Sequence, residues 1–230
     1  MTYQSTFKRY EFKYILESAQ KLALMDALEG RMKIDSYGRT TIRNIYFDTD
    51  NFRLIRLSLD KPSYKEKLRV RSYKKIENDD EVFVELKKKC ESIVYKRRVS
   101  VPETLAMDWL VAGGNQPGSS QVEDEIEYFR EFYKEISPKV FISYEREAFY
   151  STDNTNIRLT LDSNILARDY DLSLRYGVHG DSIIDEDKTI LEVKVSDTIP
   201  MWLIRFLRDN NIQKTSFSKY GMYYGGKKYA

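Results

Sequence analysis

EVFVELKKK, residues 81–89, alternates with a period of two. Val82, Val84 and Leu86 fall on one face of an extended strand, and Phe83, Glu85, Lys87 and Lys89 on the other. KLRVRSY (67–73) repeats the pattern, with Arg69 and Arg71 opposite Leu68 and Val70, and LEVKV (191–195) sets Glu192 and Lys194 against Leu191, Val193 and Val195. Strands apolar on one side and ionic on the other belong to a sheet with one covered face. Periodicity alone leaves two readings of the ionic face: it is wetted by solvent, or it meets a negatively charged ligand.

Working outward, TFKRYEFKYIL (6–16) reads as a strand and SAQKLALMDALEG (18–30) as a helix with Ser18 as N-cap and Gly30 at its end. A strand is expected over 40–49 and a short helix over 50–60. A meander of strands follows at 64–74, 81–89 and 93–101, turning at 77–80 and 90–92. Pro102 opens a helix to about Val111, GGNQPGSS (113–120) is a loop, and a second helix covers 121–136. Strands resume over 138–152, 157–173 and 189–196, before an amphipathic helix from Pro200; the GMYYGGKKY tail carries no assignment. Consecutive strands outnumber helices, so the expected fold is one α+β domain over residues 1–230, with a mainly antiparallel sheet and helices packed outside it.

The charge balance limits function. Lys and Arg number 38 against 36 Asp and Glu, a net charge of +2, which excludes a strongly basic nucleic-acid-binding bulk but allows a local basic lining. Cys90 and His179 are the only residues of their kinds, so disulfide frameworks and Cys or His metal clusters are excluded within one chain, and any metal must be held by carboxylates. The first residues lack the apolar core of a signal peptide, and no stretch approaches the roughly 18 apolar residues of a membrane span. A soluble, cytoplasmic protein without direct membrane insertion is expected.

Two features favour an anion over water on the ionic face. The helices need the Leu, Val and Ile face to pack on. The other face is rich in arginine, whose planar donor fork matches phosphate oxygens, where a merely soluble surface could use Lys, Glu, Thr or Ser. Closure of such a sheet into a barrel would turn its ionic face into a lumen, with Glu11, Glu85 and Glu192 as counter-charges.

RYEFKY, IYFDT, LRVRSY, VFVELKKK, SYEREAF, IRLTLD, LEVKV and SFSKYG occur in the order and spacing of the vacuolar transporter chaperone (VTC) domain. From about residue 7 to 224 the chain thus resembles a polyphosphate polymerase branch of the triphosphate tunnel metalloenzymes. The resemblance implies an antiparallel eight-stranded β-barrel tunnel with a basic lumen, holding a triphosphate or a growing polyphosphate chain, with a divalent metal (Mn²⁺ or Mg²⁺). It further implies that ATP donates its terminal phosphate. Lys13, Arg69, Arg71, Lys87, Lys96, Arg146, Arg158, Lys194 and Lys219 match phosphate-binding positions; among these Arg69, Arg71, Lys87 and Lys219 are the expected catalytic set. Tyr144 and Ser218 match polar lining positions, and Glu192 matches the metal-binding glutamate.

One departure bears on the reaction. Hydrolytic relatives begin with a Glu-x-Glu-x-Lys strand, whereas RYEFK places Arg9 at the first Glu. Polymerisation needs no base, because a terminal phosphate is already anionic near neutral pH, while a hydrolase must activate water. The expected partners are ATP, pyrophosphate and polyphosphate, with no nucleic acid. The sensor domain and membrane segment of some relatives are not expected here, so export would need a membrane-protein partner. A tripolyphosphatase or nucleoside triphosphatase, and a non-catalytic polyphosphate-binding module, are the alternatives.

Overall fold

The computed structural model describes residues 10–77, 79–91, 93–153 and 156–229. Arg9, the other residues of 6–9 in the expected first strand, and Asn78 and Ser92 of the two expected turns lie outside the described residues. The chain divides into two compact units, which are built separately around two hydrophobic cores.

Within the described residues, the first unit comprises 10–41, 144–165 and 182–218. Its strands are β1 (Tyr10–Leu16), the start of β2 (Met32–Thr49), the end of β6 (Ile136–Ser151), most of β7 (Ile157–Arg168), β9 (Thr189–Val195) and the two-residue β10 (Lys214–Thr215). They run β10–β1–β9–β7–β6, and β1 and β7 are each antiparallel to β9. Tyr14 and Leu16 of β1, Leu159 and Leu161 of β7, and Leu191 and Val193 of β9 form its apolar face. That face packs with Leu24 and Leu28 of helix α1 (Ser18–Leu28) and Leu203 and Leu207 of α5 (Met201–Asp209). Each such fully buried side chain is worth about 1.5–3 kcal/mol over leaving it in water.

The second unit comprises 42–143, 166–181 and 219–229. Here β3 (Tyr64–Ser72), β4 (Glu81–Cys90) and β5 (Ile93–Pro102) make the expected antiparallel meander, in the order β6–β2–β3–β4–β5; a two-residue β8 (Asp181–Ser182) starts in this unit and pairs with β7. Leu68, Val70, Val82, Val84 and Leu86 face Leu54 of α2 (Arg53–Leu59), Ala106 of α3 (Glu103–Met107), Trp109 and Leu110, and Ile126 and Phe129 of α4 (Gln121–Tyr133). Helices α1 and α5 of the first unit and α2, α3 and α4 of the second lie on the apolar strand faces, as the period-two pattern requires. Among the described residues eight strands are long, the number expected, with β8 and β10 as short additions; the strand order runs from β10 to β5 and does not close into the expected barrel.

Several boundaries differ from the sequence reading for local reasons. The N-cap of α1 is Glu17, whose N–H donates to Gln20 Oε1 at 2.9 Å in a reciprocal capping box, so Ser18 is the first helical residue. Strand β2 starts at Met32 rather than 40, because Gly38, at φ 57°, reads as a turn yet lies inside the strand. The helix from 103 widens into a π-type turn over Asp108–Ala112 and stops at Gly113 (φ 83°). The tail left unassigned is a helix, α6 (Lys219–Tyr229).

Candidate functional site

The ionic face of the second unit is organised in rows across β3, β4 and β5. Lys65 stands opposite Lys89. One step along, Lys67, Lys87 and Lys96 are directly opposite one another across three strands. The next row is Arg69, Glu85 and Arg98, and the one after it Arg71, Phe83 and Ser100; on the other side of β3, Tyr46 and Asn44 of β2 face Arg69 and Arg71. Successive rows are about 7 Å apart, two residues of strand. Three lysines in register concentrate positive charge where an anionic ligand could meet it.

Glu85, 1% exposed, organises the arginine row. Its Oε2 accepts from Arg69 Nε at 2.8 Å and Nη2 at 2.7 Å, and lies 4.0 Å from Arg71 Nε. Its Oε1 accepts from Arg98 Nε at 2.6 Å and Lys96 Nζ at 2.8 Å. Burial opposes the charge, but Arg69, Arg71, Lys96 and Arg98 overcome it and hold the carboxyl well below the usual carboxylate range. The one carboxylate thus orders four cations. Burial pushes the Lys96 ammonium down to about 8 against the pull of Glu85, and Arg98 and Arg69 add to the lowering.

Tyr46 closes the row from β2. Its hydroxyl accepts from Arg69 Nη1 at 3.0 Å; burial favours the neutral phenol, yet the Arg69, Arg71 and Lys67 charges bring it down to about 8. The ring of Tyr46 lies 5.4 Å from that of Tyr220, in the first turn of α6, and Tyr220 donates to Asp48 Oδ2 at 3.0 Å. Asp48 also accepts from the backbone N–H groups of Leu54 and Ile55 at the start of α2. Strand, short helix and α6 are thus tied at one carboxylate, next to Lys219.

The ionic face of the first unit mixes acid and base. Across β1, β9 and β7, Lys194 stands between Glu11 and Arg158 in one row, and Glu192 between Lys13 and Thr160 in the next. Arg146 donates to both oxygens of Asp162, Nε to Oδ1 at 2.6 Å and Nη2 to Oδ2 at 2.7 Å, and its Nη2 lies 3.7 Å from Glu192 Oε2; Lys194 Nζ is 3.1 Å from that same oxygen. Arg146 lies 5.1 Å from the centre of the buried Tyr144 ring. Burial works against the Arg146 guanidinium, but Tyr144, Asp162 and Glu192 raise its pKa well above the ordinary value. Lys13 Nζ donates to the carbonyl of Phe217 at 2.8 Å, beside Ser218, and Arg158 Nη2 donates to Asp35 Oδ2 at 3.1 Å.

The VTC domain matches residues 8–224. The chain belongs to the VTC-domain family. Among solved structures, a Bacillus halodurans protein described as a candidate adenylate cyclase shares the fold at 16% identity, covering 94% of this chain and 96% of its own with a TM-score of 0.57. A similar candidate cyclase from Vibrio parahaemolyticus is 12% identical, covering 95% and 98% with a TM-score of 0.47. The mimivirus capping enzyme triphosphatase is 9% identical, covering 87% and 88% with a TM-score of 0.35. No curated protein matches the chain at a significant level.

Within this VTC domain the expected residues divide between the two units: Arg69, Arg71, Lys87, Lys96 and Lys219 in the second, and Lys13, Tyr144, Arg146, Arg158, Glu192, Lys194 and Ser218 in the first. Lys67, Arg98 and Tyr46 were not in the expected set. Lys67 shares the alternation of Arg69 and Arg71 and could have been found from it. Among the described residues no group of three or more His, Cys, Asp or Glu is placed to hold a metal. The donors present still suit a hard cation of the Mg²⁺ type, which takes one or two carboxylates and completes its shell with water and substrate phosphate. Glu192 and Asp162 are the carboxylates nearest Arg146 that could serve such an ion, and both Asp162 oxygens already accept from Arg146. No helix among the described residues is long and apolar enough to cross a membrane.

Proposed function

We propose that this VTC-domain protein is a metal-dependent polyphosphate polymerase that transfers the terminal phosphate of ATP to a growing linear polyphosphate chain. The observation that carries the reading is the in-register lysine row Lys67–Lys87–Lys96 beside the Arg69–Glu85–Arg98 row. Repeated cations at strand spacing suit a repeating polyanion, and membership of the VTC family supports the same substrate class.

Phosphoryl transfer asks mainly for in-line positioning and neutralisation of the charge on the transferred group. Arg69, fixed by Glu85, offers guanidinium donors that need no reorganisation during the reaction. Lys87 and Lys219 complete the proposed catalytic set with Arg69 and Arg71. Lys13, Lys96, Tyr144, Arg146, Arg158, Lys194 and Ser218 bind phosphate in this reading. Mn²⁺ or Mg²⁺ would be held by Glu192 with Asp162, and when bound it neutralises phosphate oxygens as a Lewis acid. The reading keeps the protein in the cytoplasm, with a membrane-protein partner for any export.

Incubation with ATP and Mn²⁺, with and without pyrophosphate, tests the proposal when chains are resolved on gels and ADP and orthophosphate are measured. Chains that lengthen as ADP appears, and that are lost in Glu192→Ala, are the expected result. ADP with matching orthophosphate and no chains would replace the polymerase with a hydrolase. Anion binding without ADP would make the protein a binding module.

A further inference from the structure

Beyond the arginine row, the second unit's ionic face changes character. Phe83 follows Glu85 on the same face of β4, and Tyr73 follows Arg71 just past the end of β3. Their rings meet edge to face, centres 5.6 Å apart, and Tyr73 is 40% exposed. Arg98 lies over both, 4.4 Å from the Phe83 centre and 5.9 Å from that of Tyr73, and its Nη2 donates to the Tyr73 hydroxyl at 2.9 Å. The same guanidinium donates through Nε to Glu85. The face thus runs from lysines, through arginines, to an accessible aromatic pair joined to a cation.

Phosphate gains nothing from aromatic rings. A ligand that uses this whole gradient has an anionic chain at one end and a flat, polarisable group at the other, because bases stack on aromatic side chains and on guanidinium groups. From the Phe83 row to the Lys87 row is four residues of strand, about 13 Å, a span that an extended nucleoside triphosphate can cover. We propose that Tyr73, Phe83 and Arg98 form a subsite for the purine ring of the nucleotide donor. Its terminal phosphate then lies at Lys67, Lys87 and Lys96, and the polyphosphate acceptor continues toward Lys65 and Lys89. The subsite rests on the ATP-dependent reading above and adds a direction to it: nucleotide at the aromatic end, chain at the lysine end.

Titration calorimetry with ATP and with inorganic tripolyphosphate, on wild-type protein and on Tyr73→Ala, Tyr73→Phe and Phe83→Leu, tests the subsite. Tyr73→Ala is expected to weaken ATP by about tenfold, the scale of a lost base–aromatic stack, and to leave tripolyphosphate nearly unchanged. Tyr73→Phe, which keeps the ring, is expected to retain ATP affinity. Phe83→Leu, with thermal melting recorded to check its fold, is expected to follow Tyr73→Ala. Equal losses for both ligands, or no loss for either, would overturn the base subsite and leave the polyphosphate reading standing. Wild-type protein that binds neither ligand would overturn both.

Discussion

Glu85 receives the Nε and Nη2 of Arg69 on a single carboxylate oxygen, Oε2, and leaves its other oxygen to Arg98 and Lys96. The carboxylate is almost wholly buried, so it positions these cations rather than screening them from solvent. A buried charge with its partner removed is far more costly than the pair is favourable. Glu85 therefore permits a dense basic face to fold before any phosphate arrives.

Glu85→Gln is accordingly expected to destabilise the protein by about 3–5 kcal/mol, with partial recovery of the melting temperature on adding polyphosphate. The pH dependence has a definite sign. The folded carboxyl titrates below its unfolded value, so its contribution is complete above the ordinary glutamate range near 4.3. It is lost as pH falls below that range toward the depressed folded value. Melting temperatures recorded downward from pH 6 should fall more steeply in wild type than in Glu85→Gln below about pH 4.5. Parallel curves would remove Glu85 from this role.

Lys87→Ala is expected to abolish turnover with the fold retained, whereas the Arg69→Ala, Arg71→Ala pair is expected to abolish turnover and to lower the melting temperature, because it strips two cations from the buried Glu85. Lys87 stands between Lys67 and Lys96, so its loss removes the central cation of that row. Polyphosphate raises the melting temperature of wild type by mass action, and this rise should shrink in Lys87→Ala. Full activity with unchanged melting would take the phosphate track away from this face.

Glu192 and Asp162 both meet Arg146, yet their substitutions should separate. Asp162 takes the bidentate pair and is fully buried, so Asp162→Ala is expected to cost about 3–5 kcal/mol of stability. Glu192 lies 3.7 Å from Arg146 and 3.1 Å from Lys194, and Glu192→Ala is expected to abolish metal-dependent chain growth. Manganese titration followed by electron paramagnetic resonance with tripolyphosphate present reads the metal directly. Retained Mn²⁺ affinity in Glu192→Ala would remove the metal from this carboxylate.

The fold was legible where alternation is strict. β3, β4 and β9 carry their faces openly, because helices cover one side of each and charge fills the other. β2 was legible only from 40 onward, since Gly38 interrupts the pattern inside the strand. Helix α6 was hidden by its three glycines at 221, 225 and 226, and it is held in part by a tertiary bond, Tyr220 to Asp48, that no local pattern announces. For the site, alternation placed Arg69 and Arg71 on one face, but register across strands is a long-range property. The row Lys67–Lys87–Lys96 and the position of Tyr46 against Arg69 emerge only when β2, β3, β4 and β5 are aligned.

Tyr46 turns that alignment into a pH effect. Below pH 8 its neutral hydroxyl accepts from Arg69 and leaves the positive charge intact; as pH rises through about 8 the phenolate forms and cancels part of it. The folded phenol titrates below its ordinary value, so folding gains stability between about pH 8 and pH 10 while anion affinity falls over the same interval. Lys96, also near 8, loses charge in that range, and so part of the fall in affinity belongs to it. Tyr46→Phe is therefore expected to reduce the loss of tripolyphosphate affinity between pH 7 and pH 9 without removing it. It should also delete one phenol titrating near 8 from the ultraviolet absorbance curve. Identical absorbance titrations in the two proteins would show that Arg69 does not lower this phenol, and that Tyr46 holds the guanidinium by shape alone.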